Sequence, residues 1–355
     1  MNIAFFAPLK PADHPVPSGD RAMARALITA LQEGGHSVTQ ASDLRLYDGQ
    51  GDSAAQDALF AAAQAEVTRI LSSPGVQDWH LWLTYHNYYK APDLIGPKVA
   101  QALDIPYLQI ESTRARKRLT GPWARFARAA ESASDAAHTI FYLTLRDAET
   151  LRRDAPDGQH LRHLAPFLAR ADLPAASTLS GPMLSVGMMR HGDKLASYAL
   201  IAQTLAALPE TLDWHLDIAG DGPARSEVAD LMAPFGTRVT LRGALDADAL
   251  ADLYACASLL LWPGVNEAFG LTYLEAQAAG IPVVAQDRPG VRDVVKGRMT
   301  SVEGGAAEMA AHILDLAQDA SLRRAAGTQA RTDIAAHHLR GAATKTLQQT
   351  LEALA

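Results

Sequence analysis

The sequence predicts an α/β protein of two domains, each built on a parallel sheet with helices on both faces. Three observations carry this. The chain has 355 residues, which is room for two cores of ordinary size. From Met183 onward, short apolar runs alternate strictly with helical stretches, the order of a parallel sheet with crossover helices. Between the halves, residues 165–182 are rich in proline, glycine and small side chains with little periodicity, and read as an interdomain linker. The expected partition is 1–166, a linker at 167–181, a second domain at 182–340 and a closing helix at 341–355.

Composition narrows the function. With 48% hydrophobic and 20% charged residues, the chain is globular rather than disordered. Its net charge of −7 argues against wholesale nucleic-acid binding. The single cysteine, Cys256, excludes an internal disulfide and a cysteine-cluster metal site, and reads as a buried, inert thiol. The N-terminus lacks a basic stretch ahead of its apolar run, and no run reaches the length of a membrane span, so a cytoplasmic protein is expected.

The first strand is Met1–Pro8. A proline-rich loop at 10–20 leads to a helix over 20–32, with Ala22, Ala26, Leu27, Ala30 and Leu31 at helical spacing. Only Gly19 stands in that turn, so the dinucleotide glycine fingerprint is missing. A lone glycine permits close backbone approach to a ligand, or is a plain loop glycine. A strand near Val38 and an alanine-rich helix over 53–71 follow. Strand 79–85 delivers His86 to its carboxyl end, where open α/β sheets bind ligands; a hydrogen-bonded structural histidine is the plainer reading. Strand 105–110 is followed by Glu111 and a basic segment, in which Arg114, Arg116, Lys117, Arg118, Arg125 and Arg128 surround Trp123 and Phe126. Cations among aromatics in an acidic protein point to an anionic acceptor or a peripheral contact with an anionic membrane; a solvated basic face is the alternative. Short strands near 139–143 and 161–164 complete the first half.

In the second half, strand 183–187, helix 194–207, strand 214–219, helix 223–233, strand 238–241, helix 246–256 and strand 258–262 alternate. The stretch 266–275 then places Glu267 in a loop and Glu275 in a helix from about Gly270 to Ala279. Gly280 and Pro282 stop that helix, and Ile281–Ala285 is the next strand. A helix start in this position has free N–H groups that suit a phosphate; two surface glutamates on an ordinary βαβ unit are the bland alternative. Helices near 305–317, 320–337 and 342–354 close the chain.

Together these residues resemble the retaining glycosyltransferases of family 4. The match rests on Glu267 and Glu275 with seven residues between them, read with Phe269-Gly270-Leu271 and followed by Glu-Ala-Gln-Ala-Ala-Gly-Ile-Pro-Val-Val. Ser185-Val-Gly187 with Lys194 downstream, Ile218-Ala-Gly-Asp-Gly-Pro223 and Arg242-Gly-Ala-Leu245 support it. The resemblance implies a GT-B fold, two Rossmann-like domains whose parallel sheets face a central cleft, with the last helix returning to the first domain. It implies a donor that is a nucleotide-diphosphate sugar, UDP- or GDP-linked, with no further cofactor. Glu275 would hold the ribose hydroxyls, Glu267 the reacting sugar, and the backbone of Phe269, Gly270 and Leu271 the diphosphate. Arg190 and Lys194 would neutralise the leaving group, and Leu245 would lie beside the base. His86 would meet the donor sugar and Gly19 the phosphate. No Asp-x-Asp metal motif is read in this domain, so cationic side chains are expected in place of a divalent ion.

Three departures stand out. Met188 follows the Val-Gly pair where the family usually has arginine, so the cation is Arg190. Ser18-Gly19 stands where Gly-Gly is frequent, and Pro289-Gly290 replaces a later Gly-Gly, which puts a donor role for Asp293 in doubt. The expected function is a metal-independent retaining sugar transferase with an unidentified acceptor. The alternatives are a GT-B phosphorylase or epimerase, or a non-catalytic nucleotide-sugar-binding protein.

Overall fold

A computed structural model describes residues 1–15 and 18–354; Val16 and Pro17 of the expected loop, and Ala355 of the last helix, lie outside the described residues. The chain forms two compact units, Met1–Ala165 joined by the segment from Arg340 onward, and Pro166–Leu339.

The first unit alternates β1 (Asn2–Phe6), α1 (Gly19–Glu33), β2 (Ser37–Ser42), α2 (Ser53–Leu71), β3 (Leu81–Asn87), α3 (Gly96–Leu103), β4 (Tyr107–Ser112), α4 (Ala124–Ala136), β5 (Thr139–Tyr142), α5 (Leu145–Asp154) and β6 (His160–His163). Its six strands are all parallel, in the order β2-β1-β3-β4-β5-β6. The central strands are buried along most of their length because both faces are covered: Ile3, Ala4, Phe5, Phe6, Leu81 and Trp82 are fully buried. Helix starts carry the residues that cap them. Ser18 accepts from the Arg21 amide, Asp52 from those of Ala54 and Ala55, and Thr144 from that of Asp147.

The second unit runs β7 (Met183–Val186), α6 (Asp193–Ala206), β8 (Leu216–Ala219), α7 (Arg225–Met232), β9 (Val239–Gly243), α8 (Ala247–Cys256), β10 (Leu260–Leu261), α9 (Leu271–Ala278), β11 (Val283–Val284), α10 (Val291–Val294), α11 (Gly305–Gln318) and α12 (Ala320–His337). Its sheet is parallel, ordered β11-β10-β7-β8-β9. The last helix, α13 (Arg340–Glu352), packs on α1 of the first unit. Arg340 meets Glu33 through Nε at 2.7 Å and Nη2 at 2.5 Å, and Ala343, Leu347 and Leu351 are buried.

The stretch expected as a linker is tied down instead. The Ser177 amide donates to the Ala279 carbonyl at 2.7 Å, Thr178 to Ala255 at 3.0 Å and Gly181 to Cys256 at 2.7 Å, and Arg331 reaches the Pro174 carbonyl at 2.6 Å. Residues 166–181 are therefore an edge of the second unit. Cys256, expected to be buried, is half-buried. Helices α3, α4, α5 and α10 were not anticipated as elements. The first and last are short. Among the described residues no helix is long and apolar enough to cross a membrane.

Candidate functional site

Strand order locates the site. In the second unit the chain runs from β7 out to β8 and β9, then returns on the other side of β7 with β10 and β11. Loops leaving β7 and β10 diverge at this switch point, and the opening beyond their carboxyl ends is where such sheets bind ligands. Lys194, in the first turn of α6, comes from the β7 side, and Glu267 from the β10 side.

Glu267 is held firmly. The buried Trp262 donates its indole N–H to Glu267 Oε1 at 3.0 Å, and the Lys194 ammonium pairs with the same oxygen. Lys194 Nζ also sits 5.1 Å from the Trp262 ring centroid, a cation–π placement. Tyr198 stands edge-on to Trp262 at 5.2 Å and donates to the Gly187 carbonyl at 2.7 Å. Position 187 must be glycine, because an added Cβ would lie 2.6 Å from the indole ring. The loop itself is stitched to α6: the Val265 amide donates to Ser197 Oγ at 3.1 Å, and Asn266 Nδ2 to Asp193 Oδ1 at 2.9 Å. Among the described residues, Glu267 Oε2 makes no hydrogen bond, so that oxygen is left to accept from a ligand.

The start of α9 is open in the same place. Gly270, with φ of 75°, begins the helix and no side chain caps it, so its first amides are unclaimed by side chains. Phe269 is buried while its backbone borders this end, and Leu271 is the first helical residue. Gly290, at φ of +85°, backs the loop so closely that a Cβ there would be 1.8 Å from the Ala268 carbonyl oxygen.

Glu275 lies one turn into α9, half-buried, and accepts from the Tyr254 hydroxyl at 3.0 Å. Burial pushes its carboxyl above the usual carboxylate value, with the Tyr254 bond and the Arg170 charge opposing. Its anion is thus disfavoured until donors satisfy it. Tyr254 is pushed well above the usual phenol range by burial and by the Glu275 charge, so it remains a donor. Arg190 is exposed, its Nη2 3.4 Å from Met188 Sδ. Leu245 is half-buried in the turn between β9 and α8. Against expectation, an Asp-x-Asp pair does stand in this unit, at Asp246 and Asp248. Asp246 is committed to capping α8 through the Ala249 amide at 2.9 Å.

The first unit has its own switch point, between β1 and β3. Gly19 opens α1 after β1; it is exposed, and a Cβ there would meet nothing within 4 Å, so no tight approach demands glycine. His86, the last residue but one of β3, lies in the left-handed region, φ 69°, a conformation sparsely populated by side-chain-bearing residues and frequent at functional sites. Its Nδ1 lies 3.4 Å from Asp20 Oδ1. Burial opposes protonation of His86, but the Glu111 charge and Asp20 together raise its pKa above the ordinary value. Glu111, at the end of β4, is left-handed as well, φ 58°, and its Oε2 is buried without a hydrogen-bond partner.

The basic segment divides. Arg114 is buried and paired with Glu131 at 2.9 Å and Asp135 at 2.7 Å, which removes it from any acceptor or membrane contact. Arg116 pairs with Asp154 at 2.5 Å. Lys117 is exposed, whereas Arg118 and Trp123 are half-buried and stacked. Sequence reasoning missed Trp262, Tyr254, Asp20 and Glu111. Trp262 and Glu111 stood in the text as strand ends, whereas Tyr254 and Asp20 meet their partners only through the fold.

Residues 182–319 match the family model described as glycosyl transferases group 1. The chain is 34% identical over 138 residues to a GDP-mannose-dependent alpha-mannosyltransferase of Mycolicibacterium smegmatis, covering 38% of this chain and 35% of that one. It is 27% identical over 234 residues to the alpha-D-kanosaminyltransferase of Streptomyces kanamyceticus, covering 61% and 60%. The matches to the first four curated relatives span 27% to 60% of those proteins' lengths. Among solved structures, sucrose-phosphate synthase from Thermosynechococcus elongatus superposes with a TM-score of 0.75 at 18% identity, covering 99% of this chain and 98% of the other. Anabaena HepE in complex with UDP-glucose gives 0.71 at 16%, covering 99% and 100%. These likenesses extend over the whole chain and assign it the GT-B fold.

Proposed function

We infer that this chain, whose residues 182–319 match the family model of the group 1 glycosyl transferases, is a retaining glycosyltransferase that moves a sugar from a nucleotide-diphosphate sugar to a glycan, lipid or small-molecule hydroxyl. The observation that carries the reading is Glu267, fixed by Trp262 and Lys194 beside the unclaimed start of α9 at the sheet's switch point. That arrangement offers one carboxylate oxygen to a sugar hydroxyl, an ammonium to a diphosphate, and backbone amides to phosphate oxygens.

In the reaction, the bond from the anomeric carbon to the diphosphate oxygen breaks and a bond to the acceptor oxygen forms on the same face. The acceptor proton passes to the departing phosphate. Positive charge develops on the sugar and negative charge on the leaving group. Glu267 faces the first, and Lys194, Arg190 and the α9 amides face the second, already oriented before the step. Glu275 accepts from the ribose diol, with Tyr254 holding the carboxylate in place. These cations do the work assigned elsewhere to a divalent ion. By the family resemblance, His86 is assigned to the reacting sugar. The UDP complexes of HepE and the GDP-mannose dependence named for the mycobacterial relative support a UDP- or GDP-linked donor.

The test is a donor screen by mass spectrometry, scoring hydrolysis of each nucleotide sugar without acceptor, run beside thermal shift with UDP and GDP. A bound nucleotide at a hundred times its Kd raises stability by about 2.7 kcal/mol. Glu275→Ala should weaken that shift. Glu267→Ala should retain it and lose about 10²–10³ in turnover. No shift with any nucleoside diphosphate overturns the donor-site assignment.

A further inference from the structure

Leading away from His86, the first unit carries a chain of aromatic rings. His86 and Tyr88 have ring centroids 4.8 Å apart, Tyr88 and Tyr89 5.5 Å, and Tyr89 and Trp123 5.8 Å. Two cations lie over the outer rings. The Arg118 guanidinium carbon is 4.9 Å from the Tyr89 centroid and 5.4 Å from that of Trp123, and Lys90 Nζ is 5.8 and 5.3 Å from the same two rings. All five side chains of this platform, from Tyr88 to Trp123, are half-buried.

The platform has a rigid backing. Trp123 donates its indole N–H to the Asp48 carbonyl at 3.0 Å, and the Asp48 amide donates to the Lys90 carbonyl at 2.9 Å. The buried Asp48 carboxylate gathers Gln50, Gly51 and Gln56 at 2.8 to 2.9 Å, so the loop behind the rings is fixed by the protein itself.

The charge is unanswered. Arg114, Arg116 and Arg125 each have a carboxylate partner. Among the described residues Arg118 and Lys90 have none within 4 Å, in a chain of net charge −7, and the Arg118 Nε–H is buried without an acceptor. Stacked guanidinium retains its edge donors, which match a phosphate or carboxylate, while aromatic faces suit the C–H face of a saturated ring.

We propose that Tyr88, Tyr89, Trp123, Lys90 and Arg118 form the acceptor subsite, and that the acceptor is a sugar or cyclitol bearing a phosphate or carboxylate group. This rests on the transferase reading, which assigns His86 to the reacting sugar. A ring against Tyr88 and Tyr89, its anionic group at Arg118, holds its far hydroxyl toward His86.

Titration calorimetry of the full chain with glucose 6-phosphate, glucose and inorganic phosphate tests the subsite apart from the donor site, which is followed by thermal shift with UDP and GDP. Glucose 6-phosphate should bind at least tenfold more tightly than either fragment. Arg118→Gln and Trp123→Phe should each weaken it about tenfold or more, with melting curves recorded to verify that each variant is folded. Equal binding by Arg118→Gln overturns the proposal, as does inorganic phosphate binding as well as glucose 6-phosphate. So does sedimentation with phosphatidylserine vesicles that Arg118→Gln abolishes while no sugar phosphate binds, since the patch is then a membrane contact. Sugar-phosphate binding that Arg118→Gln removes, in a protein that no nucleoside diphosphate stabilises, supports the subsite and overturns the transferase reading instead.

Discussion

The two glutamates of the candidate site differ in what the protein does to them, and each difference is measurable. Glu267 is given a hydrogen bond and an ammonium. Replacing Trp262 with phenylalanine removes the bond and keeps the ring; a hydrogen bond to a charged group is worth about 1.5–3 kcal/mol, so kcat should fall by about ten- to a hundredfold with nucleotide affinity little changed. Glu275 is instead half-buried with its carboxyl pushed up by burial. A folded pKa above the unfolded one stabilises the fold below the unfolded value of 4.5, and that contribution is lost as pH rises through the folded value. Glu275→Gln should therefore melt higher than the parent near pH 7, lose that advantage near pH 4, and bind UDP or GDP more weakly at both. A parent that melts as high as Glu275→Gln at pH 7 would show that burial does not burden this carboxylate. His86 is the opposite case, with charges around it outweighing burial. Its ring should titrate above 6.5 by NMR, and Glu111→Gln and Asp20→Asn should each bring it down.

At the scale of elements, the loop between β10 and α9 is held on one side by side-chain bonds to α6 and on the other by the close backbone approach of Gly290. Gly290→Ala would place a Cβ 1.8 Å from the Ala268 oxygen at a left-handed φ. The conformation alone costs about 1–2 kcal/mol, so the variant should melt lower, and its activity should fall further than its stability because the displaced loop carries Glu267. Gly19→Ala, with open space at its Cβ, should do neither; circular dichroism melts and donor hydrolysis compare the two. This contrast also marks how far the sequence was legible. The strands and most helices follow from apolar runs and period, and Glu267 and Glu275 stand out by their places before and within one short helix, whereas Lys194 was named through the resemblance to family 4. Gly290, singled out in the sequence only as a departure, proves to be a packing requirement. Arg114 read as one cation among several, since Glu131 and Asp135 become its partners only when α4 forms beside it. Tyr254 and Glu275 meet from different helices, and no spacing in the chain announces that.

At the scale of the whole molecule, the two units are unequal in how the chain builds them. The second is one continuous segment, 166–339, including the stretch at 166–181 that hydrogen-bonds along its edge. The first is completed only when α13 arrives from the far end of the chain and covers α1. Ending the chain at Leu339 strips away Leu347 and Leu351, both buried. At about 1.5–3 kcal/mol for each buried leucine, that is about 3–6 kcal/mol, much of a unit's typical net stability of about 5–15 kcal/mol. The truncated protein should melt in two steps, with the first unit unfolding early and the second near its original temperature, still raised by UDP or GDP. The segment 166–339 expressed alone should give that later transition and the same nucleotide shift, whereas a segment starting at Met183 should be weakened by loss of the Ser177, Thr178 and Gly181 bonds. Calorimetry of the three proteins decides this. A single transition in the Leu339 truncation, lowered as a whole, would mean that the units unfold together and that α13 stabilises more than the unit it joins.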